Sequence, residues 1–255
     1  MGEFIKTDKA GRILTMTMRR PDVMNALHAP ACRELSAVLD AFQADPDLWI
    51  GIITGAGDRA FCAGHDLAEG FDDPMPPTGW AGMAERNDIT KPLIAAVNGL
   101  AFGGGFEVAL CCDVVVADER AIFSMSEPRV GFVALGGGVQ RLASRLPKSI
   151  AMELLLTGRR MTAEEALGWG IVSRLAAPGE VMATAYHFAD EMLKCSPLAL
   201  RYTKELAYEP MEGREATARI AAGRKRVGPA LRGLEDTKEG IGAFLEKRSP
   251  IWRGR

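Results

Sequence analysis

The sequence predicts an α/β fold, and three observations carry that reading. Short apolar, β-branched runs read as buried strands: Ile13 to Met18, Leu48 to Thr54, Leu93 to Val97 and Asp113 to Ala117. Segments with apolar residues at helix spacing alternate with them, as in Pro30 to Ala44 with Leu35, Val38, Leu39 and Phe42. Near Cys195 the strand signals cease and only helical pattern continues, which divides the chain into a core over 1–194 and a helical subdomain over 195–255. A chain of 255 residues, 47% of them hydrophobic, has ample material for one large core with such an appendage.

Composition narrows the partners. A net charge of −2 gives no field for nucleic acid or an anionic membrane surface, so basic residues act locally. No apolar run reaches membrane-spanning length, and Met1-Gly2-Glu3-Phe4 opens into strand-like sequence without the basic and apolar regions of a signal peptide, so the expected location is the cytoplasm. Cys32, Cys62, Cys111, Cys112 and Cys195 show neither CxxC spacing nor companion histidines; they read mostly as small buried hydrophobes, with no metal site. His28 and His187 read as structural.

Taken in order, Phe4 to Thr7 and Ile13 to Met18 predict a hairpin around an Asp8-Lys9-Ala10-Gly11 turn, ended by Arg20-Pro21. Met24-Asn25-Ala26-Leu27 connects to the first helix. Gly55-Ala56-Gly57-Asp58 turns the chain sharply after the Leu48 to Thr54 strand. From Glu69 to Trp80 the sequence is crowded with Gly, Pro, Asp and Met and keeps no periodicity, which predicts a loop of the kind that covers substrates. Trp80 at its end either lines a pocket or packs the loop onto the body. Further on, Gln140 to Leu146, Ser149 to Leu156 and Gly179 to Cys195 predict helices. Thr162-Ala163-Glu164-Glu165 reads as a capping box before a short helix, and Ser196-Pro197 as the start of another. The basic cluster Arg224-Lys225-Arg226 and the tail from Lys247-Arg248 to Arg253-Gly254-Arg255 read as solvated faces.

The chemistry centres on Val97-Asn98-Gly99-Leu100-Ala101-Phe102-Gly103-Gly104-Gly105-Phe106-Glu107. A strand ends at Val97, Asn98-Gly99 turns, and three glycines lead into the apolar helical segment Phe106 to Cys112. Glycines at a helix start let backbone approach a ligand closely while the first N–H groups stay accessible, and that end favours negative charge. Glu107 then lies one turn from Gly104 as a candidate acid or base. Two readings stand side by side: an anion-stabilising helix start with a proton-transfer group, or glycines that permit close packing with Glu107 complementing the helix dipole.

This stretch resembles the signature of the crotonase family, also called the enoyl-CoA hydratase/isomerase family. A second stretch, Leu48 to Leu67 with Ala63-Gly64-His65-Asp66, resembles it as well. The similarity continues through Gln140-Arg141-Leu142, Thr157-Gly158-Arg159-Arg160-Met161 and Trp169-Gly170-Ile171-Val172, and so covers nearly the whole chain. The resemblance implies a spiral of repeated strand–strand–helix units followed by a helical trimerisation subdomain, with trimers that commonly pair into hexamers. It implies a 2-enoyl-CoA hydratase in which Glu107 activates water and Glu127 exchanges the proton at the α-carbon. The backbone N–H groups of His65 and Gly104 would form the oxyanion hole. Two carboxylates suit this chemistry because one must deprotonate the attacking water and the other must handle the α-proton. By the same resemblance Met24, Ala26, Ala63, Asp66, Leu67, Phe244 and Lys247 contact coenzyme A, the last two from a neighbouring subunit. Coenzyme A is part of the substrate, and no separate cofactor or metal is implied.

One departure from the family pattern concerns the acyl end. Family hydratases usually place Pro and then a small or polar residue ahead of a glycine pair, whereas this chain has Ala134-Leu135-Gly136-Gly137-Gly138. Leu135, with Trp80, is expected to line and narrow the acyl pocket. Within the family, Asn98 to Glu107 and the ending Glu246-Lys247-Arg248-Ser249-Pro250-Ile251-Trp252-Arg253-Gly254-Arg255 are also similar to carnitinyl-CoA dehydratases, the alternative reading. Some relatives bind RNA instead; a slightly acidic chain without an aromatic-basic stripe argues against that use here.

Overall fold

The computed structural model of the protein describes residues 2–70, 72–195, 197–208 and 235–251, with residues 218, 221, 225, 228, 229, 232 and 233 between the last two. Among the described residues, ten strands form two sheets. The larger contains β1 (Ile5–Ala10), β2 (Ile13–Met18), β3 (Ile50–Gly55), β5 (Leu93–Val97), β7 (Val114–Asp118) and β10 (Arg174–Ala176), in the order β1-β2-β3-β5-β7-β10. The smaller contains β4 (Ala60–Cys62), β6 (Leu100–Phe102), β8 (Ile122–Ser124) and β9 (Met161–Thr162), in that order. The chain passes from one sheet to the other on each turn, β3 to β4, β5 to β6, β7 to β8; the sequence predicts the α/β class, and the family resemblance implies the spiral.

The large sheet is parallel from β2 onward, and its strands are buried on both faces. Alternate residues therefore serve two cores. Ile13, Ile50, Ile52, Ile94, Ala96 and Val116 meet Val181, Ala185 and Ala189, which share one stripe of helix α6 (Val181–Leu193). On the other face Leu14, Met16, Ile53, Leu93, Ala95 and Val97 join Leu35, Leu39 and Phe42 of helix α1 (Ala29–Ala44) in the main core. Edge strand β1 is exposed after Ile5 and carries Lys6, Asp8 and Lys9, charges that discourage further pairing.

Those charges explain a correction. The expected turn at Asp8 to Gly11 is strand through Ala10; Ala10 pairs with Ile13, and the hairpin closes on Gly11-Arg12 with Gly11 at φ 57. Alternating polar residues on an exposed edge strand look like turn chemistry in the sequence. Strands β4, β6 and β8 have three residues each, too few to leave a periodic signal. The remaining helices are α2 (Gly104–Cys111), α3 (Gly138–Arg145), α4 (Lys148–Thr157), α5 (Ala163–Gly168), α7 (Pro197–Tyr208) and α8 (Glu235–Leu245). Thr162 caps α5 by accepting the Glu165 N–H at 3.1 Å, one arm of the expected box. Ser196, Arg224, Arg226 and 252–255 lie outside the described residues.

Helix α7 is fastened to the core: Lys204 Nζ donates to the Lys91 carbonyl at 2.9 Å and pairs with Asp113 at 2.8 Å. Helix α8 packs on the 3-10 turn Glu127–Val130, with Thr237 Oγ1 donating to the Gly131 carbonyl at 2.8 Å.

The loop after β2 holds Met24 and Asn25 at φ 53 and 56, a left-handed conformation that side chains other than glycine and asparagine seldom adopt. Asn25 stabilises it. The buried amide accepts from Arg20 N at 3.0 Å and donates to the Ala56 and Ala60 carbonyls at 2.9 and 2.8 Å. Asn25→Ala should lower the unfolding free energy by about 3 kcal/mol, one for each hydrogen bond removed, as read from urea titration. A loss well under that figure would show that the loop is held by other contacts.

Candidate active site

The small sheet assembles the site. β4, β6 and β8 run parallel, with Cys62 paired to Ala101 and Phe102 to Ser124, so their C-terminal ends lie side by side. His65, Gly104 and Glu127 follow those ends by two or three residues. With neighbouring strands about 4.8 Å apart, all three positions fall within about 10 Å. Open α/β sheets bind ligands at such strand ends.

Each glycine of the triplet is required by a different neighbour. A Cβ on Gly103 would lie 3.0 Å from Glu127 Oε1, and one on Gly104 would enter the Trp80 ring at 2.5 Å. One on Gly105 would overlap the Cys62 carbonyl oxygen. Gly103 also sits at φ 52, ψ −125, with its N–H donated to the Ser124 carbonyl at 2.8 Å. Gly64, at φ 97, brings its α-carbon so close that a Cβ there would stand 3.1 Å from Gly104 N. The backbone of Gly64-His65 therefore lies against the first N–H of α2, which by its position has no acceptor inside the helix.

The structure brings Glu107 and Glu127 together. Glu107 is 3% exposed, and its Oε1 accepts the Gly138 N–H at 2.7 Å. A Cβ on Gly136 would lie 2.5 Å from Glu107 Oε2, so glycine there is also a matter of room. Glu127 is partly exposed as a residue, yet its Oε2 is buried without a hydrogen-bond partner. Burial pushes the Glu107 carboxyl above the ordinary value of 4.5, while the Gly138 N–H and the Arg141 charge hold it back. Burial also pushes Glu127 up, and there the neighbouring Glu107 charge adds to the rise. The pair thus holds a proton between its members into the neutral range, and the unequal surroundings favour that proton on Glu127.

Trp80 reaches this centre from the segment read as a covering loop. Its indole Nε1 donates to the Gly104 carbonyl at 2.9 Å, and its ring lies 5.6 Å from that of His65. The turn is built for the purpose: Gly79, Ala81 and Gly82 have φ of 79, 54 and 67. The preceding residues are anchored on α1. Arg33 holds Asp73 with two 3.0 Å contacts, and Ser36 Oγ meets Thr78 Oγ1 at 2.8 Å. Leu135, expected beside Trp80, does not pack on the main core as Trp80 does; a methyl of it lies 3.7 Å from where a side chain on Gly228 would begin. Gly136, one residue on, is what meets Trp80 and Glu107.

The His65 imidazole is accounted for. Its Nε2 lies 2.6 Å from the Gly70 carbonyl, which only accepts, so Nε2 carries the proton. Burial holds its pKa below the usual 6.5, which keeps the ring neutral.

A family model described as enoyl-CoA hydratase/isomerase matches residues 8–255. The chain belongs to the enoyl-CoA hydratase/isomerase family. It is 41% identical to the carnitinyl-CoA dehydratase of Proteus mirabilis, over 100% of both chains. Among solved structures it is similar to a carnitinyl-CoA hydratase from Mycobacterium avium, with a TM-score of 0.91 and 36% identity over 100% of each chain. It is also similar to an enoyl-CoA hydratase from Mycobacterium tuberculosis, with a TM-score of 0.79 and 37% identity over the same share.

Of the positions that the family resemblance assigns to coenzyme A, four are knitted into one wall. Ala63 N donates to Met24 O at 3.0 Å, Leu27 N to Gly64 O at 2.8 Å and Asp66 N to Leu27 O at 2.9 Å, with Ala26 between them. The Asp66 carboxylate is engaged by Arg20 at 2.8 Å, a partly buried pair that ties the two loops together. Leu67 follows at the rim. Phe244, 57% exposed, and Lys247, the left-handed residue that closes α8, stand on the surface. Sequence reading missed Arg141 and the Gly138 N–H as parts of the site. Three glycines before a second helix, echoing those before the first, were the available signal. No helix among the described residues is long and apolar enough to cross a membrane, and none of their His, Cys, Asp and Glu side chains group as metal ligands.

A buried carboxyl whose pKa is raised makes the folded state bind a proton that the unfolded chain releases. That contribution to stability is present below 4.5 and is lost as pH rises through the folded value. Glu127→Gln should therefore melt close to the wild type in acid and increasingly above it as pH rises, in thermal scans from pH 4.5 to 9. A gap that stays constant across pH would show that Glu127 keeps an ordinary pKa.

Proposed function

We propose that the protein is a hydro-lyase for 2-enoyl-CoA thioesters and that its substrate pair is carnitinyl-CoA and crotonobetainyl-CoA. The buried glutamate pair beside the start of α2 carries the reaction type. The full-length similarity to carnitinyl-CoA dehydratases favours this substrate over a general fatty enoyl-CoA.

In the hydration direction the thioester oxygen accepts the N–H groups of His65 and Gly104, which hold developing enolate charge more strongly than the neutral carbonyl. One such donor is typically worth about 3 kcal/mol. Glu107, ionised through its Gly138 hydrogen bond and the Arg141 charge, takes a proton from water as the oxygen joins the β-carbon. Glu127, which carries the shared proton, gives it to the α-carbon. Dehydration reverses both transfers: Glu127 removes the α-proton and Glu107 protonates the departing hydroxyl. The wall of Met24, Ala26, Ala63, Asp66 and Leu67 receives the coenzyme. Phe244 and Lys247 extend it from a neighbouring subunit. The exposed Phe244, Leu245 and Ile251, at 57%, 52% and 70%, support a trimer built on the C-terminal helices.

A trimethylammonium group suits this pocket, since the Trp80 face attracts a cation and the glutamate pair retains one negative charge. Glu107→Gln and Glu127→Gln should each lower turnover of crotonobetainyl-CoA by about 10²-fold or more with little change in thioester binding, because each removes a positioned proton-transfer group. Full activity in either variant would remove that residue from the mechanism. The substrate is tested by the ratio of kcat/KM for crotonobetainyl-CoA to that for crotonyl-CoA. Trp80→Leu should reduce the ratio by about 2- to 30-fold, the value of 0.5 to 2 kcal/mol of cation–π attraction. The ratio cancels the loss of the Trp80 bond to Gly104, which affects both substrates. A wild-type ratio below one would point to a general enoyl-CoA hydratase instead.

A further inference from the structure

Arg141 lies outside every role described so far for the coenzyme or the acyl group, yet it joins the two segments that close over Glu107. Its Nη1 donates to the Gly136 carbonyl at 3.0 Å and its Nη2 to the Ala84 carbonyl at 3.2 Å. The first carbonyl belongs to the loop whose Gly138 N–H binds Glu107 and whose Gly136 lies against Glu107 Oε2. The second belongs to the turn that carries Trp80, and Gly136 touches the Trp80 ring as well. A planar guanidinium with several donors can hold two carbonyls in fixed relation; a lysine ammonium has no such fork.

The charges around Glu107 leave this arginine a second effect. Among the described residues the ionisable groups facing Glu107 are Glu127 on the 3-10 turn and Arg141 on α3. One group further out are His65 behind Trp80 and Cys62 beneath Gly105. His65 is neutral, and burial pushes the Cys62 thiol up to about 12. Arg141 is thus the cation acting on the pair, and it acts on Glu107.

We propose that Arg141 is a positioning residue of this site: it clamps Gly136 and Ala84 so that the Gly138 N–H meets Glu107, and its charge makes Glu107 the base of the pair. The inference deepens the hydro-lyase reading and rests on it for the meaning of "base", while the clamp and the charge are properties of the protein alone.

Two variants and two readouts test it. The titration of the Glu107 carboxyl is followed by its isotope-edited infrared carbonyl band, assigned by disappearance in Glu107→Gln. The pH profile of kcat/KM is measured with crotonobetainyl-CoA and crotonyl-CoA. Removing a nearby positive charge disfavours the carboxylate, so Arg141→Gln should raise the Glu107 titration by about one pH unit and move the acid limb of the profile upward with it. Arg141→Lys should raise the titration by less than Arg141→Gln does, with kcat lowered several-fold and KM little changed, because charge survives while the clamp that sets the Gly138 N–H does not. A Gln variant that titrates like the wild type overturns the proposal, as does a Lys variant that shifts as far as the Gln variant. If Arg141→Gln does not fold, the Lys variant decides: a rise of less than about one pH unit with reduced kcat supports the proposal, and a larger rise or unreduced kcat overturns it. Should the wild type turn over neither thioester, the hydro-lyase reading fails, and the infrared titrations still decide whether Arg141 governs Glu107.

Discussion

The site depends on one constraint, the parallel register of three very short strands. β4, β6 and β8 contribute only nine residues between them, but their pairing places the backbone after Cys62, Phe102 and Ser124 at one edge. A slip of one residue in any of them would reverse the faces of that strand and carry His65, Gly104 or Glu127 away from the others. The larger sheet prevents the slip. Each short strand follows a strand of that sheet after a tight connection, and the two faces of that sheet are locked by separate cores against α1 and α6. Precision in the small sheet is thus inherited from packing in the large one.

Close approach is the second requirement, and it accounts for glycines beyond what turn geometry asks of them. Gly104 and Gly136 leave room for Trp80, Gly103 for Glu127, and Gly136 and Gly138 for Glu107. The protein thereby seats two carboxyls and an indole in one volume, an arrangement that costs stability when both acids ionise. Such local cost is what raises the pKa values into the range where proton transfer at neutral pH is efficient.

How much of this the sequence disclosed varies with the length scale of the signal. The long strands β2, β3, β5 and β7 and the helix α1 were legible because burial repeats over five or more residues. The three-residue strands were not, since no periodicity fits in them, and charged β1 was half mistaken for a turn because an edge strand shows polar residues as a loop does. At the site, Gly104 and Glu107 were marked by local sequence, and the pairing of Glu107 with Glu127 by resemblance to a family; spacing alone permitted it without requiring it. The anchoring of Asp73, Thr78 and Arg86 on α1 was invisible, because those partners are more than thirty positions away. Leu135 drew notice for its bulk, whereas its neighbour Gly136 holds the place against Glu107; a sequence shows which residues are unusual, and only the fold shows which way they face.

The asymmetry of the two glutamates is the last step from fold to chemistry. Two identical buried acids would share a proton without preference and would serve poorly as a base and an acid at once. Here α3 approaches Glu107 and not Glu127: its first N–H ends on Glu107 Oε1, and Arg141 faces the same carboxylate. Glu127 lies against Gly103, with a buried oxygen that receives no hydrogen bond. A carboxylate that accepts a backbone N–H near a cation is stabilised in its charged form, and one with a buried, unpartnered oxygen beside another carboxylate is stabilised protonated. The placement of one helix start therefore gives two residues of the same type unequal surroundings, with the charged form favoured at Glu107 relative to Glu127.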